Sequence, residues 1–338
     1  MTWAGALRGE GMTRIFVYEP LSADDPGTTQ ALGRGTPAHE EMLAAGRGMR
    51  DAVAADLARI AGLAVTVATG EQEAGHALRT VRRAAPESSI DFVRRQALLH
   101  DLCWIVAPES DGLLLRLREA VGDARWIGCS AAAIRVASSK KATCAVLATA
   151  GVATPLAFAK DHRGPWIVKP DDGAGTLETR RHATRAAAEH DVQHRRAAGR
   201  HAVAQAFVEG EALSISMIAG PDLARPLAIN RQRLAMDAQG WLHDLGVQPA
   251  AIAAADARTA TLHALASRVA SAIPGLLGYV GIDVVWNERE GPVVIEVNPR
   301  VTCAYVGLSA LLRRNVAQEI LALHAAARSG EVAADVPA

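Results

Sequence analysis

Strands alternating with helices over the first third of the chain predict a parallel α/β domain, and the short strands and turns that follow Gly151 predict α+β structure after it. A third observation sets the centre of that second region. In Gly281 to Arg300, GIDVVWNEREGPVVIEVNPR, two runs rich in Val and Ile flank a polar loop from Asn287 to Pro292, the pattern of a β-hairpin.

The 338 residues are enough for two or three domains with their own cores. Half of them are apolar and 21% are charged, as in an ordinary globular protein. Lys plus Arg and Asp plus Glu each number 36, so no global basic field favours nucleic acid or a membrane surface, and neither is expected as a partner. The four cysteines, Cys103, Cys129, Cys144 and Cys303, have no CxxC spacing. They predict reduced, mostly buried thiols and a cytoplasmic protein, not a disulfide frame or a zinc site. No apolar run approaches the ~20 residues of a membrane span. The first eleven residues contain Arg8 and Glu10 and lack a signal-peptide core. Residues 1–12 are expected to be a disordered leader, with Met12 as an alternative start, and 329–338 a weak tail.

In chain order, Ile15 to Tyr18 is a buried-strand candidate, and Ser22 to Pro37, rich in Gly, Pro, Asp and Thr, reads as a long loop. Met42, Leu43, Met49, Val53, Leu57 and Ile60 recur at helical spacing and predict a helix over 40–60. Strand 64–68, helix 89–100, strand 103–107, helix 112–121 and strand 126–127 complete the alternation. Pro108 to Asp111 would then lie just past a strand's carboxyl end, where parallel sheets bind ligands. A helical joint over 130–139 and a helix over 140–150 lead into strand 166–170, a glycine turn, and its return over 176–181. A basic helix (183–198) and strands at 202–208, 213–218 and 227–234 follow. An amphipathic helix over 259–273, the hairpin, and a closing helix over 309–328 end the chain.

Alternation decides where the hairpin's polar residues point. Ile282, Val284 and Trp286 take one face and leave Asp283 on the other; Glu296 and Asn298 share a face opposite Ile295 and Val297. If Trp286 pairs with Val293, Asp283 stands across from Glu296. Two carboxylates so placed, roughly 5 Å apart at Cβ, repel each other. A hard cation between them reverses that sign, because Mg²⁺ takes carboxylate and amide oxygens and keeps room for phosphate. Two unrelated acids on a solvent-facing hairpin are the bland alternative. Arg300, close behind, suits a polyanion. Lys169 ends an apolar strand beside Asp171-Asp172-Gly173-Ala174-Gly175, where a lysine is costly unless an anion meets it and where glycines let N–H groups approach phosphate. Neither a GxxxxGK[ST] loop, a GxGxxG, a GxSxG nor an HExxH occurs.

Taken together and in this order, the pieces resemble the ATP-grasp superfamily: Lys140 on the helix before Gly151, Lys169 before a glycine loop, a Gln205-Ala-Phe207-Val208 hinge followed by acids, then Asp283 and Glu296-Val-Asn298-Pro-Arg300. The resemblance covers about residues 13 to 325. It implies a Rossmann-like pre-ATP-grasp domain (13–129) and two α+β subdomains (130–204 and 205–328) that clamp ATP. It further implies Lys140 and Lys169 on the phosphates, Asp172, Gly173, Ala174, Gly175 and Thr176 as the covering loop, and hinge backbone at Gln205, Phe207 and Val208 reading adenine. Glu211, less surely Glu209, would meet the ribose. Asp283, Glu296 and Asn298 match the ligands of two Mg²⁺, with Mn²⁺ able to substitute; the first acid is Asp where many members carry Glu. Arg300 and Lys169 match the catalytic cations that steady the transferred phosphoryl group.

A narrower resemblance is to the carboxylate–amine ligase branch that includes tyramine–glutamate ligase of methanofuran synthesis. It rests on Val17-Tyr18-Glu19, Glu40-Glu41-Met42-Leu43, Ile105 to Gly112, Ile229-Asn230-Arg231-Gln232 and Asn298 to Leu308. It implies amide formation from a small carboxylate and an amine, glutamate with tyramine or tyrosine, in synthesis of a methylofuran-like one-carbon cofactor. Glu19, Glu109, Asp111, Asn230, Arg231 and Tyr305 are the substrate candidates. Asp or Glu suits an ammonium and Arg a carboxylate, and structural roles as caps or ion pairs are open for each. An ATP-grasp kinase or ligase for other small molecules, and a non-catalytic ATP-binding regulator, are the alternatives. A homodimer is left open.

Overall fold

The computed structural model describes residues 12–329 apart from Gln72, Ala74 and Ala174. The expectations for residues 1–11, for 330–338 and for Ala174 of the glycine loop lie outside the described residues. The chain makes two compact units. One holds the chain up to Ala107, Leu113–Ala131 and everything from Arg300 on; the other holds Pro108–Gly112 and Ala132–Pro299. Among the described residues, no helix is long and apolar enough to cross a membrane.

The first unit opens with β1 (Thr13–Tyr18), α1 (Pro26–Leu32), α2 (Pro37–Ala58), β2 (Leu63–Ala68), β3 (Arg79–Val81), α3 (Ser89–Leu99), β4 (Leu102–Ile105), α4 (Leu113–Val121) and β5 (Trp126–Ile127). The five strands form one sheet in the order β3-β2-β1-β4-β5, parallel throughout. Central β1 is apolar on both faces: Ile15, Phe16 and Val17 are wholly buried, as a strand covered on both sides requires. Val53 and Leu57 of α2, Phe92 and Val93 of α3, and Leu114 and Leu117 of α4 fill the same core. The expected long loop 22–37 contains α1. Its signal is brief but physical, since the Asp25 carboxylate accepts the Thr28 N–H at 2.7 Å and Pro26 fills the first helical position.

After Pro108–Gly112, the second unit continues with α5 (Ala131–Ala137, from Ala132 on) and α6 (Lys140–Thr149). Next come β6 (Trp166–Pro170), β7 (Arg180–His182), α7 (Arg185–Ala197) and β8 (Ala202–Ala206), which form an antiparallel three-stranded sheet ordered β7-β6-β8. Trp166 and Val168 pack there against Ala188 of α7. The larger sheet holds β9 (Glu211–Gly220), β10 (Leu223–Met236), β11 (Leu242–Ile252), then α8 (Thr259–Ala272), β12 (Gly278–Asn287) and β13 (Gly291–Asn298). Its order is β11-β10-β9-β12-β13, antiparallel throughout.

Strand β11 has no counterpart in the sequence reading. It is an edge strand interrupted by Gly246 and Pro249, where a residue without an N–H is tolerated. The turn between β10 and β11 is strapped to the smaller sheet. Arg181 N–H donates to the Gly240 carbonyl at 2.7 Å, Leu242 N–H to Thr179 at 2.9 Å, and the Trp241 ring lies 5.1 Å from the Arg180 guanidinium.

Beyond Arg300 the chain belongs to the first unit, where the single expected helix is two, α9 (Leu308–Leu312) and α10 (Val316–Ser329). Arg313 takes a left-handed conformation (φ 54°) between them, and Asn315 caps α10 by accepting the Gln318 N–H at 3.0 Å.

Candidate functional site

The larger sheet puts a polar rank across four strands. Asn230 of β10 is level with Ser214 of β9, Ser214 with Asp283 of β12, and Asp283 with Glu296 of β13. Residues directly opposite share a face, so these four side chains stand on one side of the sheet. In the next rank Ser216, Gly281 and Asn298 are aligned. The other side carries Leu213, Ile215, Met217 and Ile282, all buried, and is covered by α8 through Leu262, Leu265, Ala266 and Val269.

The pairing of Asp283 with Glu296 is reached by a different register from the one expected. Trp286 pairs with Pro292, and Val285 with Val293. A bulge then takes up one residue, Ile295, between the Val284–Val294 and Asp283–Glu296 pairs. Without it Glu296 would turn to the helix side, which is how a bulge re-aims a side chain.

Asn298 donates from Nδ2 to Asp283 Oδ2 at 3.3 Å, and the Gln232 amide also reaches Asp283. Burial, and then the charge of Glu296, raise the Asp283 carboxyl well above the carboxylate range. Burial pushes Glu296 the same way, but Lys140 and Lys169 outweigh it and hold Glu296 at about 2. The environment thus pushes the two carboxyls apart, Asp283 up and Glu296 down.

Lys140 and Lys169 are both buried, 5% and 6% exposed. Lys140 Nζ lies 3.2 Å from Glu296 Oε2 and donates to the Gly173 carbonyl at 2.5 Å. Lys169 is the last residue but one of β6, and burial together with the Lys140 charge lowers it to about 8 against the pull of Glu296 and Asp283. Asp171, which the sequence reading gave no role, anchors the glycine loop to the start of α6. Its Oδ2 accepts from Ser139 Oγ at 2.7 Å, its Oδ1 from Lys141 N–H at 2.9 Å, and its carbonyl from Lys140 N–H at 3.0 Å. Gly173 has no room for a Cβ, which would lie 2.9 Å from Pro170 Cβ, and Gly175 takes φ +65°. Asp172 accepts the Asp111 N–H at 2.8 Å, so the Pro108–Gly112 segment touches this loop. Glu109 is buried there and its carbonyl accepts the Gly112 N–H. The Thr176 carbonyl accepts from Thr179 N–H at 3.0 Å.

Gln205 is paired in β8 opposite Ile167, and its Nε2 lies 3.4 Å from Cys144 Sγ. Phe207 N–H donates to Pro165 at 3.0 Å with Arg181 over its ring, and Val208 is buried. Glu211 is not with the polar rank. It is level with Trp286, three positions along an unbroken register from the Ser214–Asp283 pair, so alternation sends it to the helix-covered face. Its two oxygens are held there by Arg231 Nε and an Arg258 nitrogen, each at 2.5 Å. Glu211, expected near the ribose, and Arg231, expected near substrate, thus meet each other in this structure.

Other substrate candidates are likewise committed to protein partners. Asn230 is wholly buried, donates to Ser214 Oγ and Ser216 Oγ at 3.2 and 3.0 Å, and accepts the Ala250 N–H at 3.1 Å. In the first unit, Glu19 caps a turn by accepting the Leu21 and Ser22 N–H groups, and a Cβ on Gly46 would lie 2.5 Å from its carboxyl carbon. Tyr305 donates to Asp56 Oδ2 at 2.7 Å, which Ser309 Oγ also reaches. Arg300, also of the first unit, donates to its neighbour's carbonyl, that of Val301, at 3.1 Å.

An all-oxygen set from Asp283, Glu296 and Asn298, beside two buried lysines, fits a hard divalent cation. A second cluster, Asp51, Glu73 and His76, has ligand atoms within 4.8 Å of one another. Arg50 already spans both Glu73 oxygens, at 2.9 and 2.5 Å, and reaches Asp51 at 2.8 Å, so its charge is met without a metal. The described cysteines are free; Cys103, Cys129 and Cys144 are buried and Cys303 is exposed.

Comparison with known proteins gives the same frame. Residues 137–304 match the model of an ATP-grasp domain and residues 64–134 that of a pre ATP-grasp 3 domain. The tyramine–L-glutamate ligase of Methanocaldococcus jannaschii is 29% identical over 217 residues, covering 62% of this chain and 58% of that protein. That of Methanocaldococcus fervens is 28% identical over 210 residues, covering 62% and 61%. The chain thus matches about three fifths of the length of these relatives. Among solved structures, an ATP-grasp superfamily protein of Archaeoglobus fulgidus superposes with TM-score 0.67 at 22% identity, over 95% of this chain and 89% of that one. The L-amino acid ligase of Bacillus licheniformis gives 0.59 at 17%, over 93% and 74%. At such identities the likeness is one of fold.

Proposed function

Because this chain belongs to the ATP-grasp superfamily, we propose that it is an ATP-dependent, ADP-forming carboxylate–amine ligase. The observation that carries the reading is the convergence of Asp283, Glu296 and Asn298 on one sheet face beside two buried lysines. Burying that many charges is expensive unless ligands of both signs complete the set. Magnesium at the three oxygen ligands, two ions in the family's pattern, would neutralise phosphate charge.

The chain's own groups supply the rest. Lys140 and Lys169 bind and orient phosphates, and the loop from Asp172 to Thr176 shields the reacting atoms from water. Arg300, two residues past Asn298, steadies the transferred phosphoryl group. A carboxylate oxygen of the acid attacks the terminal phosphorus of ATP and ADP leaves. The amine then attacks the acyl carbon, phosphate departs with the C–O bond, and the amine gives up a proton as the amide forms. The preferred pair is glutamate with an aromatic amine of the tyramine or tyrosine type, as the tyramine–glutamate ligases suggest, in cytoplasmic synthesis of a methylofuran-like cofactor. Glu109 and Asp111, on the segment that touches the glycine loop, are the remaining candidates for the ammonium.

The test is ADP release across tyramine, tyrosine and related amines with glutamate, with the product identified by mass spectrometry. An amide two mass-balanced substrates long, formed with ADP, supports the reading. ATP binding with no ADP from any pair, or a phosphate ester as product, overturns it.

A further inference from the structure

We propose that Lys140 is the resident cation of the metal-free site, so that a divalent ion reaches Glu296 only after nucleotide phosphates have drawn the ammonium away. The proposal rests on the metal reading above and goes beyond it to the order of binding.

Lys140 Nζ bridges two oxygens that lie on separate parts of the unit, Glu296 Oε2 at 3.2 Å and the Gly173 carbonyl at 2.5 Å. It does so from a fixed base. Lys140 is the first residue of α6, and that helix end is held by the Ser139 cap and by three hydrogen bonds that Asp171 accepts, from Ser139 Oγ, Lys140 N–H and Lys141 N–H. Only the four-carbon stem can move, and a lysine is a compact point charge on such a stem. The lysine is buried, so it screens Glu296 where water does not. Glu296 is one of the two carboxylates a metal would need, and Lys140 already holds it. A metal arriving alone must displace an ion pair and strand a buried ammonium. A metal arriving with phosphates meets no such cost, because the phosphates take the lysine.

The experiment is Mn²⁺ binding followed by electron paramagnetic resonance, without nucleotide, on the full chain and on Lys140→Met, Lys140→Arg and the double variant Lys140→Met/Glu296→Gln. The expectation is about tenfold tighter Mn²⁺ binding in Lys140→Met, an ordinary size for coupling between neighbouring sites. Lys140→Arg keeps the cation and should stay near the parent, and the double variant should lose the gain. Thermal unfolding of each variant confirms that it is folded. Equal or weaker binding in Lys140→Met overturns the proposal, while the metal reading survives if Mn²⁺ with a non-hydrolysable ATP analogue still depends on Glu296. If Mn²⁺ binding is indifferent to Glu296 with or without the analogue, the metal reading and the proposal fall together.

Discussion

Asp283 and Glu296 stand level on adjacent strands, with Lys140 Nζ 3.2 Å from Glu296. Such a site is arranged to exchange an ammonium for metal and phosphate. Glu296→Ala should lose at least ~100-fold in ATP-dependent ADP release, the usual scale for removing one electrostatic stabiliser. Turnover within a few-fold of the parent at saturating magnesium would refute the assignment.

Glu211 offers the opposite expectation. It belongs to the helix side of the sheet with Arg231 and Arg258. Glu211→Gln should therefore cost stability, about 1 kcal/mol for a partly exposed ion network. The KM for ATP should move by less than about threefold, well short of what losing a charged hydrogen bond to the nucleotide would cause. Denaturant unfolding and initial rates separate the two.

Lys169 gives a pH dependence of definite sign. Free of ligand it titrates near 8, while an unfolded lysine titrates near 10.5. Between those values the unfolded chain binds the extra proton, so this group's contribution makes stability rise with pH across that window. Phosphate binding runs the other way. It favours the ammonium, so the protein takes up a proton as ATP binds above pH 8. Without metal, ATP affinity should fall by up to about tenfold per pH unit there. Calorimetry at pH 9 in buffers of different ionisation enthalpy measures the uptake, and zero uptake would contradict the expectation.

Tyr305→Phe tests a structural role. The hydroxyl donates to a buried carboxylate, that of Asp56, which keeps Ser309 as a second donor. Removing it should cost about 1–2 kcal/mol in unfolding free energy and leave KM values alone. A selective rise in the KM for one substrate would restore the tyrosine to the binding site.

Local signals were legible before the structure was. The Val- and Ile-rich hairpin, the lysine at the end of an apolar strand and the glycine turn each depend on a few neighbouring residues. Long-range partners were not: nothing near Tyr305 in the chain announces Asp56, 249 positions away. Glu211 is an instructive intermediate case. Leu213, Ile215 and Met217 alternate with Ser214 and Ser216, and Glu211 shares the parity of the apolar set. Motif order drew it to the nucleotide while strand geometry pointed it away. Edge strand β11 stayed hidden because its glycine and proline look like loop chemistry, and the bulge in β13 because Val293, Val294, Ile295 and Val297 are residues a regular strand would also have.

The unpaired position at Ile295 makes register, as much as chemistry, a determinant of this site. Deleting that one aliphatic residue would leave Val284–Val294 and Asp283–Glu296 as consecutive rungs of an even ladder, with every face kept. Drawing Ile295 into the ladder instead would rotate the acid into the oil beneath, so the aim of this centre comes from backbone arithmetic.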